Sequence, residues 1–265
     1  MQTTCNDLLG EYRDLARVCA TLSAADWQRR SDFYGWTPWD EVAHLCYFDQ
    51  TALQSVTTPE EFTAEAKALA KVLATGKEIS AIARDHFAGL DGPALLATWQ
   101  SNFETLVAAL AQQDPKARLN WYGPSMSAKS FATARLMETW AHGQDIWDVM
   151  QLDRPASHRL RAIAHIGVST FGWTFVNRKL PVPETVPYIE LQAPDGTLWT
   201  WGEPSETDWL RGSAQDFCLL VTQRRHRDDT GLQWQGAAAQ AWSSMAQCFA
   251  GPPVDGPAPG VRKRA

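Results

Sequence analysis

Residues 137–150 read METWAHGQDIWDVM. On a helix Glu138 and His142 stand four positions apart, Asp145 follows three later and Arg135 precedes by one turn, so the four side chains form a line along one side. The flanking Phe131, Ala134, Ala141, Ile146 and Val149 are small or apolar, which implies that this side faces the interior of a bundle. Charges that face a core are costly unless they are paired or hold a metal. A carboxylate and an imidazole on one helix, completed from a facing helix, make a bundle metal site. The third ligand has to come from elsewhere, and His44 is the best candidate, mid-helix in the otherwise apolar stretch WDEVAHLCYFD. Two histidines and one carboxylate leave coordination positions open for water or substrate, as in catalytic rather than closed structural sites.

Plainer readings compete. A Glu–His pair at i,i+4 is often only a surface contact, and Arg135 and Asp145 can be partners in a structural salt-bridge network. His86, in ARDHFAG, reads as an exposed helix residue. His158 and His165 share a face without a third ligand nearby, and His226 belongs to the charged turn TQRRHRDD. Tryptophan, of which there are thirteen, usually serves a core, although Trp36, Trp39 and Trp140 cluster in sequence with the candidate ligands.

The elements that must position these residues are mostly helical. Leu8, Tyr12, Leu15, Val18 and Leu22 make a helical stripe over 4–21. Thr37, Pro38 and Asp40 read as N-cap, first turn and capping-box partner, so a helix should run from 38 to about 55. A third helix is expected over 59–75, continuing with breaks toward 88. A fourth opens at Asp91-Gly-Pro and carries Leu95, Trp99, Phe103, Leu106, Val107 and Leu110. QQDPKARLNWYGPSMSAKS reads as a loop, and Ser130 as the cap of the helix that bears the opening motif. One more helix is expected over 156–178. After Leu180 the composition changes: VPYIELQAP and TLWTWGEP flank Asp195-Gly196, a hairpin signal. Residues 213–225 read as helix, LQWQG as a third strand and AAAQAWSSMAQCFA as a last helix. The expected fold class is α+β, with a helical domain over 1–180, a small α/β domain over 181–250 and a Pro- and Gly-rich, disordered tail over 251–265.

The whole chain sets bounds. Its 265 residues, 45% hydrophobic, suffice for a real core. A net charge of −6 and a pI near 5.5 argue against a nucleic-acid partner. No apolar run approaches the roughly 20 residues of a membrane helix, and the N-terminus lacks the pattern of a secretory signal. Five scattered cysteines without a CxxC pair fit reduced thiols in a cytoplasm. The expected partner is a small-molecule substrate, with the chain as monomer or homodimer.

Two segments carry a resemblance. WTPWDEVAHLCYFD resembles the pattern W-x-x-x-D-x-x-x-H-L-x-x-x-D of DinB-like proteins, in particular the mycothiol-dependent maleylpyruvate isomerase N-terminal domain family. METWAHGQDIWD resembles that family's second segment, E-x-W-x-H-x-x-D. TFGWTFVNRKL, APDGTLWTWGE, DFCLLVTQRRHRDDTGLQWQG and MAQCFAGPP are similar to an actinobacterial metal-binding subgroup. The resemblance implies a DinB-like four-helix bundle, plus an extra helix, followed by a small C-terminal α/β, sterol-carrier-like domain. It implies His44, Glu138 and His142 as ligands of a divalent metal, typically zinc, with iron or nickel as alternatives, and mycothiol as a thiol cofactor. Arg135, Asp145 and Arg225 become candidate catalytic residues, with Arg224 and Arg211 as alternatives to Arg225 for holding an acidic substrate. Asp145 is expected to orient a ligand or a metal-bound water. Trp36 and Trp140 are expected to line the cofactor site, in a cleft between the two domains. The expected function is a metal- and thiol-dependent isomerase or S-transferase acting on a small, anionic electrophile. The alternatives are a thiol-independent cyclase, lyase or hydrolase, or a non-catalytic metal-binding module.

Overall fold

The computed structural model describes residues 1–262. Two compact units divide the chain, the first Met1–Met150 and the second from Gln151 onward. The single helix expected over 156–178 is two helices in the structure, and both group with the second unit rather than with a domain ending at 180.

The first unit is built on four long helices: α1 (Gln2–Cys19), α2 (Pro38–Thr57), α5 (Gly92–Ala111) and α6 (Ala128–Val149). Contacts run α1–α5, α5–α2, α2–α6 and α6–α1, a closed four-helix bundle. Leu8 and Leu15 from α1, Leu45 and Ala52 from α2, Leu95, Leu106 and Leu110 from α5, and Phe131 and Leu136 from α6 are buried in its core. Tyr12 stacks on Phe103 with centroids 4.7 Å apart and meets Trp99 edge-on. At the same level all four helices meet at one carboxylate. Asp49 accepts hydrogen bonds from Tyr12 Oη (2.5 Å), Trp99 Nε1 (2.8 Å) and Arg135 Nε (2.9 Å). A fully buried carboxylate is tolerated because every approach to it is a donor and one donor is a cation.

Helix α2 begins as the sequence predicts, with a complete capping box between Thr37 and Asp40 and with Pro38 in the first turn. Asp40 also pairs with Arg84, Nε to Oδ1 at 2.5 Å and Nη2 to Oδ2 at 2.8 Å. That bond ties α4 (Ile79–His86) to the start of α2. The expected third helix stops at Leu73, as α3 (Pro59–Leu73), where the chain turns through Gly76 in the left-handed region at φ +85°. Asp91 caps α5 through Ala94 N at 2.9 Å, and Gly92 is required there because a Cβ would lie 2.3 Å from the Trp27 ring. Ser127, not Ser130, caps α6: its hydroxyl accepts from Ser130 N, so Ser130 is the third residue of the first turn rather than the cap. The loop before α6 contains a short antiparallel pair, β1 (Arg118–Leu119) with β2 (Met126–Ser127).

The second unit opens with α7 (Leu160–Ser169) and α8 (Phe171–Asn177), separated at Thr170. Its sheet has the order β4-β3-β5-β6, formed by β3 (Tyr188–Gln192), β4 (Leu198–Trp201), β5 (Trp209–Ser213) and β6 (Gln233–Gln235). β3 and β4 form the expected antiparallel hairpin, with Gly196 at φ +82°. β5 runs parallel to β3 and antiparallel to β6. It was not legible in the sequence, since only Leu210 of its five residues is buried and no alternation results. The strand predicted at LQWQG is therefore the fourth of the sheet. α9 (Ala214–Val221) lies on α7, and α10 (Ala237–Ser243) is shorter than predicted. The tail expected to be disordered is held as far as residue 262. Val254 O accepts from Arg178 and from Gln223, and Gln223 O accepts from Arg262. Residues 263–265 of that tail lie outside the described residues. Among the described residues, no helix is long and apolar enough to cross a membrane.

Candidate metal centre

Helix α2 presents His44 and helix α6 presents Glu138 and His142. One ligand atom from each of the three lies within 4.8 Å of the others. The two imidazoles are 4.3 Å apart between ring centroids. His142 Nε2 is 3.4 Å from Glu138 Oε2, the i,i+4 neighbour that the sequence predicts. The opposite nitrogen, Nδ1, is 2.7 Å from Oε2 of Glu41, a residue that is wholly buried. A carboxylate there accepts the Nδ1 proton, which fixes the tautomer and leaves the Nε2 lone pair directed at the cluster. Asp145 joins Glu41 and His142 in a second group, again with ligand atoms within 4.8 Å and all three residues buried.

These residues fit a divalent metal. Two imidazole nitrogens and one carboxylate oxygen are the donor set of an open zinc or iron site. The carboxylate behind His142 is the companion that metal-bound histidines ordinarily have. Around the cluster stand aromatic rings. Trp36 is stacked on His142 at 5.8 Å and lies 5.3 Å from His44, Phe33 is edge-on to His142 at 5.6 Å, and Phe48 lies 4.7 Å from His44. His142 is 5% exposed, while the Glu138 side chain is 26% exposed and His44 is half-buried, so the cluster is covered at His142 and open toward the carboxylate.

The other candidates separate. Trp36 lies at the cluster, against both histidine rings. Trp140 is buried two residues beyond Glu138, about 200° around the helix from it, which turns it off the ligand face. Arg135 is buried and paired with Asp49, not with Asp145. Ten residues along one helix, about 15 Å, put Asp145 out of its reach. Burial opposes the Arg135 charge, yet Asp49 in contact holds the guanidinium firmly protonated, above its ordinary range. In the second unit Arg225 is buried with Nη1 on the Arg224 carbonyl at 2.8 Å, and it lines a cavity of about 250 Å³ together with His226, Arg227 and Ser243. Arg224 donates to the Thr222 carbonyl at 2.8 Å. Arg211 lies over the Trp209 ring and 3.6 Å from Glu190.

Sequence reasoning missed Glu41, Phe33 and Phe48 at the cluster. The signal for Glu41 was its place three residues before His44, on the same helix face. It was masked because a carboxylate in a first turn has a ready explanation in the helix dipole.

Residues 8–147 match the family described as "Mycothiol maleylpyruvate isomerase N-terminal domain". Two curated proteins of Mycobacterium tuberculosis, "Uncharacterized protein MT0041" and "Uncharacterized protein Rv0036c", are each 39% identical over 250 residues, which cover 94% of this chain and 96% of theirs. Two solved structures share the fold, both of a mycothiol-dependent maleylpyruvate isomerase and one of them a mutant. The mutant has a TM-score of 0.53 at 15% identity, covering 86% of this chain and 90% of its own. The other has 0.54 at 14%, covering 88% and 92%. At such identities the likeness is one of fold. The family match spans more than half of the sequence and contains every residue of the cluster, and the chain belongs to the mycothiol maleylpyruvate isomerase N-terminal domain family.

Proposed function

We propose that this protein is a thiol-dependent isomerase or S-transferase acting on a small electrophile, with a divalent metal, zinc in the first instance, held by His44, Glu138 and His142. The convergence of those three side chains, with Glu41 behind His142, inside a bundle of this family carries the reading. A divalent ion in such a set, with positions left open, lowers the pKa of a coordinating thiol and presents it as thiolate at neutral pH. The chain's own residues have separate tasks. Glu41 holds the His142 ring in place and keeps the proton on Nδ1. Trp36 and Phe33 cover His142, which keeps water off that ring and strengthens electrostatic interactions there, and Phe48 packs on His44. The open side at Glu138 is where substrate would enter.

Mycothiol is the thiol named for the related isomerase structures and is the thiol proposed here. In isomerisation a thiol adds across an activated double bond, rotation follows about the resulting single bond, and expulsion of the same thiol restores the double bond. In transfer the new carbon–sulfur bond is kept. Cobalt(II)-loaded protein titrated with mycothiol tests the reading. A saturable change in the cobalt spectrum at one thiol per metal is expected. Cobalt bound with a spectrum indifferent to the thiol would overturn thiol dependence and favour a thiol-independent metal enzyme.

A further inference from the structure

The exposed apolar surface of the second unit is concentrated in one place. Of the eleven large apolar side chains that are exposed among the described residues, five stand between residues 173 and 186. They are Trp173, Val176, Leu180, Val182 and Val186, each 41–57% exposed. Trp173 and Val176 are three residues apart on α8 and share a face. After α8 the chain folds back along it, since a Cβ on Gly172 would meet Val182 Cγ1 at 3.8 Å. The helix and the segment that follows therefore present one patch. Apolar residues exposed singly are normal on any surface, whereas a cluster of them marks a place of contact.

Two opposite charges border the patch. Lys179 and Glu184 are both exposed, and among the described residues neither is in an ion pair. The end of α8 fixes where Lys179 stands. Its backbone is left-handed at φ +57°, its N–H donates to the Val176 carbonyl, and the Leu180 N–H donates to the Phe175 carbonyl, both at 3.0 Å. This pair of bonds is the usual closure of a helix C-terminus. From Leu180 to Pro183 the segment has no helical or strand partner and is free to meet another surface.

We infer that residues 173–186 are the face through which two copies of this chain associate about a two-fold axis. A two-fold contact sets one surface against itself, so each group on it must suit the group that the axis brings opposite. With the segments antiparallel and the axis between Pro181 and Val182, Lys179 meets the partner's Glu184, and the reciprocal pair forms on the other side. Leu180 and Val182 then lie at the centre of the contact. Val186 reaches the end of the helix in the other copy, beside the partner's Val176. The patch is thus complementary to itself in charge as well as apolar. A bilayer suits it less, because a chain of net charge −6 is repelled by an anionic membrane.

The test is sedimentation of the full chain, as wild type and with either charge reversed, Lys179→Glu or Glu184→Lys. Both residues are exposed, so neither variant should melt below wild type. Wild type should be dimeric at about 50 μM chain. Either reversal alone sets like charges against each other twice in the dimer, and should weaken self-association by at least about ten-fold. An equimolar mixture of the two variants should dimerise as wild type does, because each supplies at both contacts the charge that the other needs. Val176→Glu should stay monomeric, alone or mixed with either. Wild type that remains monomeric overturns the proposal. If it then binds phosphatidylglycerol vesicles and Trp173→Ala does not, the patch is a lipid surface instead. A dimer indifferent to both reversals, or reversals that fail to recover on mixing, overturns it as well.

Discussion

His142 works from both of its nitrogens, one against Glu41 and one toward Glu138 and His44. Removing the negative charge of Glu41 should therefore act through the ring and not through the fold. Glu41→Gln is expected to weaken zinc about 10- to 100-fold in a competition titration, with the melting temperature of the apo protein little changed. Unaltered affinity would show that Glu41 does not support the ligand. Asp49 predicts the opposite behaviour. Asp49→Ala leaves Arg135 charged and buried without its counter-ion, and unfolding in urea should show a loss of about 3–5 kcal/mol. Replacing the pair together, Asp49→Leu with Arg135→Met, should recover much of that loss, because both charges leave the core at once. At this scale Glu138 beside His142 was legible, because i,i+4 spacing on a helix dictates who stands beside whom, whereas His44 stood out only as a histidine mid-helix in an apolar stretch. The partner of Arg135 was not, since it is set by which side chain of another helix reaches the same level.

Helix α2 owes its placement to its first turn. Asp40 closes the capping box and binds Arg84 of α4, so one carboxylate positions the helix that carries both Glu41 and His44. Burial would raise the Asp40 pKa, but the hydrogen bonds from Arg84 and Thr37 outweigh it and hold the carboxyl below its usual range. A depressed carboxylate contributes stability above its unfolded pKa, near 3.9, and that contribution is lost as pH falls through the folded value. Wild type and Arg84→Met should thus differ by about 1 kcal/mol near pH 7, the Arg84 side chain being half exposed. The difference should shrink in melts below about pH 4, and one that persists at pH 2 would contradict the ionic origin. The start of α2 and the β3–β4 hairpin were legible because capping residues and an Asp-Gly turn act locally. The cap of α6 was misplaced because Ser127 and Ser130 offer the same chemistry three residues apart, and only the backbone path decides between them. β5 escaped because a strand with one buried side chain leaves no periodic signal.

Across the whole molecule, the order of helices then sheet was legible from the change in composition after Leu180, and the α+β class follows from it. The division after Met150 was not legible, because α7 and α8 have the same apolar helical character as the bundle. A chain cut after Met150 retains all four bundle helices and every proposed ligand. It should fold cooperatively and bind one metal ion, which circular dichroism and elemental analysis would check; a fragment that stays unfolded would make the bundle dependent on the second unit. The most direct test of the metal centre is the zinc stoichiometry of the full chain at equilibrium, measured for wild type and for His44→Ala, Glu138→Gln and His142→Ala. One zinc per chain in wild type, with affinity lost by at least about 100-fold in each folded variant, is the predicted result. Wild type that binds no zinc, iron or nickel in stoichiometric amount, or variants that bind as tightly as wild type, would contradict it.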